Sequence, residues 1–185
     1  MMNLSVSKVR TRRMSLIAAL VAVAVGLFAA SASARTPGPT RGPAAALPPG
    51  LFVASAPPNA IDVGHARKVA QEGKPIVVRG RIGGLAKPFA ENHAMFVLSD
   101  MQLAACAPTC SNPGDYCSIP REQLLANLAT VQVVDANGVP LRAPMQGMNG
   151  LQPMSEVVIR GVVAKRDNNV LIVNAHNIYV NQQLK

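Results

Sequence analysis

From Pro75 onward the chain alternates apolar and polar positions, is rich in β-branched residues, and breaks at Gly, Asn and Asp, which is the pattern of half-buried strands. In PIVVRGRIGG (75–84), Ile76, Val78, Gly80 and Ile82 share one face, and Val77, Arg79 and Arg81 share the other. AMFVLSD (94–100) predicts a second strand. TVQVVDANGVPLRA (130–143) predicts a third that ends at Asp135, with Asn137-Gly138 as its turn. EVVIRGVVAKRDNNVLIVNAHNIYV (156–180) predicts two more around a turn at Asp167 to Asn169.

Ahead of the strands the period changes. Asp62 is placed to cap a short helix whose Val63, Ala66, Val69 and Ala70 share a face, and Gly73 with Lys74-Pro75 is placed to stop it. This helix is expected to lid the strands. Before it, RTPGPTRGPAAALPPG (35–50) carries five prolines in sixteen residues and little to bury, so it reads as an extended tether. LFVA (51–54) is expected to staple against the domain, and Pro57-Pro58 marks a further break.

The first 34 residues read as a signal peptide. Lys8, Arg10, Arg12 and Arg13 precede an uncharged apolar run, Leu16 to Ala30, and Ala32-Ser33-Ala34 offers the small residues of a cleavage site. The run, about 15 residues, is short for a membrane span. Cleavage is expected after Ala34, with Arg12-Arg13 allowing twin-arginine export. No Cys stands where lipid attachment would need one. The expectation is an exported chain, periplasmic or secreted, with no transmembrane segment after processing. It is organised as a signal peptide (1–34), a Pro-rich tether (35–58), a short helix (59–73) and a barrel domain (74–181) whose loop 101–120 holds every cysteine.

Processing changes the electrostatics. The formal net charge of +9 rests on 18 basic and nine acidic residues, and four of the basic ones leave with the signal. Between Gly73 and Asn181 nine basic residues face seven acidic ones, so the domain itself is only weakly basic. That gives little drive toward a polyanion.

VVRGRI (77–82) and VIRGVV (158–163) each place a Gly after an Arg in mid-strand, where a closed barrel turns a corner. Five strands in this order, the glycine-bearing first strand and the ending N-V-L-I-V-N-A-x-x-I resemble the OB-fold superfamily, in particular small, largely uncharacterised exported bacterial OB-fold proteins. The resemblance covers 75–180. It implies a mainly β, five-stranded Greek-key barrel in which the first and fourth strands pair, and it says little of function, since the fold hosts many ligands. APMQGMNGLQPM (143–154) stands where such folds usually carry a helix between strands three and four.

The candidate chemistry lies in CAPTCSNPGDYC, which places Cys106, Cys110 and Cys117 in one loop. In an oxidising compartment they read first as a disulfide pinning the loop, Cys110 to Cys117 around Pro113-Gly114, or Cys106 to either. A second reading is a soft-metal site for Cu(I) or Zn(II), with His93 or a methionine, Met145 or Met148, as extra ligand. A third is a redox pair with a resolving thiol. The spacing C-x3-C-x6-C fits no familiar zinc, thioredoxin or haem motif. Met145, Met148 and Met154 otherwise read as fillers of an irregular barrel end, and His65 and His176 as surface histidines.

Arg79, Arg81 and Arg160 form a candidate anion face, since the strands that carry them are expected neighbours. Single-strand binders also need aromatic platforms. Outside the signal the chain has only Phe52, Phe89, Phe96, Tyr116 and Tyr179, which disfavours nucleic acid. No nucleophile elbow, HExxH or paired-carboxylate motif appears, and Asp115 beside Cys117 lacks a base. The expected function is non-enzymatic: a binding module for a small ligand, an envelope polymer or a protein partner.

Overall fold

A computed structural model describes residues 45–106 and 110–181. The signal peptide and residues 35–44 of the expected tether lie outside the described residues. Six strands form one sheet: β1 (Ile61–Asp62), β2 (Pro75–Ile82), β3 (Met95–Ser99), β4 (Leu128–Gln132), β5 (Glu156–Arg166) and β6 (Leu171–Val180). They are ordered β1-β2-β3-β4-β6-β5, and β5 pairs back onto β2. Strands β2 to β6 therefore close a five-stranded barrel, as the sequence led us to expect, and its strand order is compatible with an OB-like fold. β4 runs parallel to β6, β1 lies parallel against β2, and the other pairings are antiparallel.

Alternation sets what enters the barrel. On β2, Val78, Gly80 and Ile82 are buried while Val77, Arg79 and Arg81 face outward; Phe96 and Leu98 of β3, Val131 of β4, Ile159 and Val163 of β5, and Val173 and Ile178 of β6 complete the core. The two mid-strand glycines sit at close approaches. A Cβ on Gly80 would lie 2.7 Å from the carbonyl oxygen of Ser99, and one on Gly161, at a bulge between β5 and β6, would overlap the carbonyl of Asn174. Both strands can bend there only because no side chain intervenes.

Helix α1 (Val63–Val69) packs on β2 and β4 and buries Val63 and Ala66, with Ala70 just beyond its end. Three expectations about it need correction. Val69 is 50% exposed rather than on the buried face, because it stands at the edge of the arc that holds 63, 66 and 70. Asp62 makes no cap; its carboxylate pairs with Arg79 at 2.9 Å. The helix stops at Val69, ahead of Gly73. Its ends are held instead by side chains from the barrel. The Asp100 carboxylate accepts the backbone N–H of Gly64, and the Arg166 guanidinium donates to the carbonyls of Arg67 and Lys68.

The described part of the segment read as tether, residues 45–58, does not stand apart from the barrel. Leu51 is 2% exposed and joins the core, because Ile178 donates to its carbonyl at 2.7 Å and Val53 donates to the Ile178 carbonyl at 3.0 Å. β4 pairs with β6 only at Ile172 to Asn174, so residues 51–53 cover the edge that β6 leaves open beyond that point.

Between β4 and β5 a single 3-10 turn, Met148–Gly150, replaces a helix, and the buried side chains of Met145 and Leu151 fill that end of the barrel. A six-residue helix, α2 (Arg121–Ala126), precedes β4 and was not anticipated from the sequence. Among the described residues, no helix is long and apolar enough to cross a membrane.

Candidate functional site

Two places gather polar chemistry, the cysteine loop after β3 and a cleft beside α1. The loop is fixed from its middle. Pro113–Asp115 form a 3-10 turn, and Tyr116 then takes a left-handed conformation, φ 51°, with its side chain fully buried. The Tyr116 and Ser99 hydroxyls lie 2.8 Å apart, and Ser99 also reaches the Arg81 carbonyl at 3.0 Å. A serine hydroxyl has one proton; given to the carbonyl, it leaves Tyr116 as the donor to Ser99. Gly84 donates to the Gly114 carbonyl at 2.7 Å and Asn112 to the Ala86 carbonyl at 3.1 Å, tying the loop to the β2–β3 connection.

This anchoring brings the three sulfurs together. All three Sγ atoms lie within 4.8 Å of one another. Cys106 and Cys117 are closest, 3.0 Å between sulfurs, and the Cys117 backbone N–H donates to the Cys106 sulfur at 3.1 Å. The expected Cys110–Cys117 disulfide is not formed, and all three cysteines are free thiols. The turn through Tyr116 directs Cys117 toward Cys106, while the Cys110 thiol contacts the Asn112 carbonyl at 3.6 Å. The Cys117 thiol, donating to Cys106, holds the Cys106 pKa below its ordinary value. The same hydrogen bond pushes Cys117 up to about 11.

The other expected ligands stand elsewhere. His93 precedes β3, and its imidazole is not in the group whose ligand atoms all lie within 4.8 Å of one another. Met145 is buried in the core, and Met148 belongs to the 3-10 turn before β5. Among the described residues, no His, Asp or Glu joins the three-sulfur group. Met154 comes nearer the loop, its sulfur 3.5 Å from where a Cβ on Gly114 would lie.

The cleft is larger, about 760 Å³, and lies between α1, the end of β3, the residues before β4 and the β5–β6 turn. Its walls carry His65, Arg67 and Lys68 from the helix, Asp100 and Gln102 from just after β3, Arg166 from the end of β5 and Asp167 from the turn. Asp100 is 3% exposed, and both its oxygens are engaged: one accepts Gly64 N–H and the other Gln102 N–H at 2.8 Å. Arg67 reaches the Asn168 carbonyl at 2.8 Å and the Leu128 carbonyl at 3.3 Å, which braces helix, turn and β4 together. Burial lowers the Arg67 pKa, and the Asp167 carboxylate opposes that shift. The cleft is thus a mixed-charge, hydrogen-bonding wall with its salient groups held rigid. Sequence reading missed Asp100, Arg67 and Arg166, whose partners lie dozens of residues away.

The three arginines do share an outer face. Val77 of β2 lies opposite Arg160 of β5, and Arg81 opposite Glu156. Arg79 is engaged by Asp62 at 2.9 Å and Arg81 by Glu156 at 3.7 Å. Arg160 forms no ion pair among the described residues and lines a shallow groove of about 340 Å³ with Pro57, Pro58, Pro75, Ile76 and Val77. His65 is exposed on the cleft rim and His176 is exposed on β6.

The fold and these sites define a small closed β-barrel with a polar cleft and a three-thiol loop. The chain matches no protein family, curated protein or solved structure with which it was compared.

Proposed function

We propose that this chain is an exported, non-enzymatic binding module of the OB-fold superfamily that takes a small polar ligand in the cleft beside α1. The observation that carries this reading is the cleft itself. About 760 Å³ is within the range of small-molecule sites, and Arg67, Asp100 and Arg166 are fixed by hydrogen bonds before any ligand arrives. The walls of the cleft carry both carboxylates and cations, which favours a ligand with both donors and acceptors, such as a saccharide or an amino acid, over a polyanion. The strand order and the β2–β5 closure support the OB-fold assignment. The basic n-region, apolar run and Ala32-Ser33-Ala34 support export, and an intact mass beginning at Arg35 from a periplasmic extract is the expected outcome.

The binding test is a thermal-shift titration of the mature protein with a panel of neutral saccharides and zwitterionic amino acids, run beside a Gln102→Trp variant that fills the cleft from an exposed position. A probe at 100 times its Kd contributes about 2.7 kcal/mol, which raises Tm by several degrees. The shift is expected in the native protein and not in Gln102→Trp. No shift with any probe, or equal shifts in both proteins, would overturn the assignment of the cleft.

A further inference from the structure

The cysteine loop is remote in chemistry from the cleft and carries a separate inference. Three thiols occupy one half-exposed loop, with every sulfur pair inside 4.8 Å and one pair at 3.0 Å. A metal held by thiolates at about 2.3 Å needs sulfur pairs about 4 Å apart. Side-chain rotation within a fixed backbone covers that difference. On the Cys117 side the backbone is fixed: Tyr116 is buried and hydrogen-bonded beside Cys117, and Gly114 and Asn112 tie the preceding turn to the β2–β3 connection. The Cys117 N–H already points at the Cys106 sulfur, the contact that stabilises a thiolate ligand from outside the coordination sphere.

We propose that Cys106, Cys110 and Cys117 form a binding site for a single Cu(I) ion, coordinated by three thiolates in a trigonal set. Thiolates select soft ions, chiefly Cu(I) and Zn(II). Structural zinc sites take four protein ligands, and among the described residues no His, Asp or Glu completes a fourth position. Three sulfurs that no His, Asp or Glu of the described residues joins suit the lower coordination number of Cu(I). Loading replaces the proton of each thiol by a bond to the metal, so one Cu(I) entering the fully protonated loop releases three protons, and no electron is transferred. Cys117 is exposed and gives the ion its way in.

The experiment uses the mature chain purified from a periplasmic extract, reduced and kept free of oxygen, and titrated with Cu(I) supplied as its complex with a chromophoric chelator. The expected result is one copper withdrawn per chain, near-ultraviolet thiolate-to-copper absorption, and a fall in affinity of at least about tenfold in each of Cys106→Ser, Cys110→Ser and Cys117→Ser. Circular dichroism of the variants separates loss of a ligand from loss of fold. A Co(II) titration reads coordination number. Tetrahedral d–d bands and displacement of copper by Zn(II) would overturn the copper assignment. So would an undiminished affinity in Cys110→Ser, failure of the fully reduced protein to take copper from the chelator, or a Cys106–Cys117 disulfide that resists reduction.

Discussion

The guanidinium of Arg166, at the end of β5, donates to the backbone carbonyl of Arg67 at 3.0 Å across 99 residues of sequence. The two cations tolerate each other because Arg166 addresses the helix terminus rather than the Arg67 side chain, and a positive charge there complements the helix dipole. Arg166→Gln is therefore expected to destabilise the protein by about 0.5 to 1 kcal/mol, read as a lower urea midpoint with unchanged slope. Arg166→Lys keeps the charge and is expected to recover part of the loss.

At the other end of α1, Asp100 supplies what Asp62 does not. Its two oxygens accept the N–H groups of Gly64 and Gln102 in a site 3% exposed. Asp100→Ala orphans both donors, and the expected cost is about 2 kcal/mol. Asp100→Asn, which keeps one acceptor, is expected to lose less. Equal stability of the wild type and Asp100→Ala in chemical denaturation would contradict this role.

These two caps show where the sequence stopped being informative. The alternation in PIVVRGRI and VVIRGVV marks its strands because each side chain's face follows from the chain's own period, and the glycines at 80 and 161 mark close approaches for the same local reason. The helix was legible from Val63, Ala66 and Ala70, but its caps were not. Asp100 is 36 residues from Gly64, and only barrel closure brings them together. Asp62 looked like a cap by position and was taken by Arg79, which β1–β2 pairing sets directly opposite. The cysteines were legible as a cluster. Which sulfurs meet depended on a left-handed Tyr116, a conformation that residue type does not announce.

The β5–β6 turn carries a pH dependence with a defined sign. Asp167 accepts the backbone N–H groups of Asn169 at 2.9 Å and Val170 at 2.8 Å, with Lys165 3.4 Å from its other oxygen, and these contacts hold its pKa below the ordinary value, the Asn169 bond foremost. A carboxyl depressed in the folded state stabilises it above the unfolded pKa and loses that contribution as pH falls through the folded one. The turn is thus expected to loosen below about pH 4. The protection of the Asn169 and Val170 amides, that is their exchange corrected for its intrinsic pH dependence, should fall on acidification. In Asp167→Asn the same amides should show no titration in this window.

The Cys106–Cys117 hydrogen bond sets an order of reaction. With one proton shared between two sulfurs, Cys106 ionises first, and the resulting negative charge adds to the hydrogen bond in holding the second proton on Cys117, whose pKa stands at about 11. Thiolates alkylate and thiols do not. At pH 8 in reductant-free, anaerobic buffer, iodoacetamide is therefore expected to label Cys106 first, and because alkylation removes that charge, Cys117 is expected to be labelled only in chains already labelled at Cys106. Peptide masses from a quenched time course give both rates. Cys106→Ser removes the neighbouring charge and the sulfur that takes up Cys117's proton, so Cys117 in that variant is expected to titrate well below 11, with Cys110 still holding it above the ordinary thiol value. Simultaneous labelling of both cysteines at pH 8, or a Cys117 profile unmoved by Cys106→Ser, would mean that the two sulfurs do not share a proton in solution.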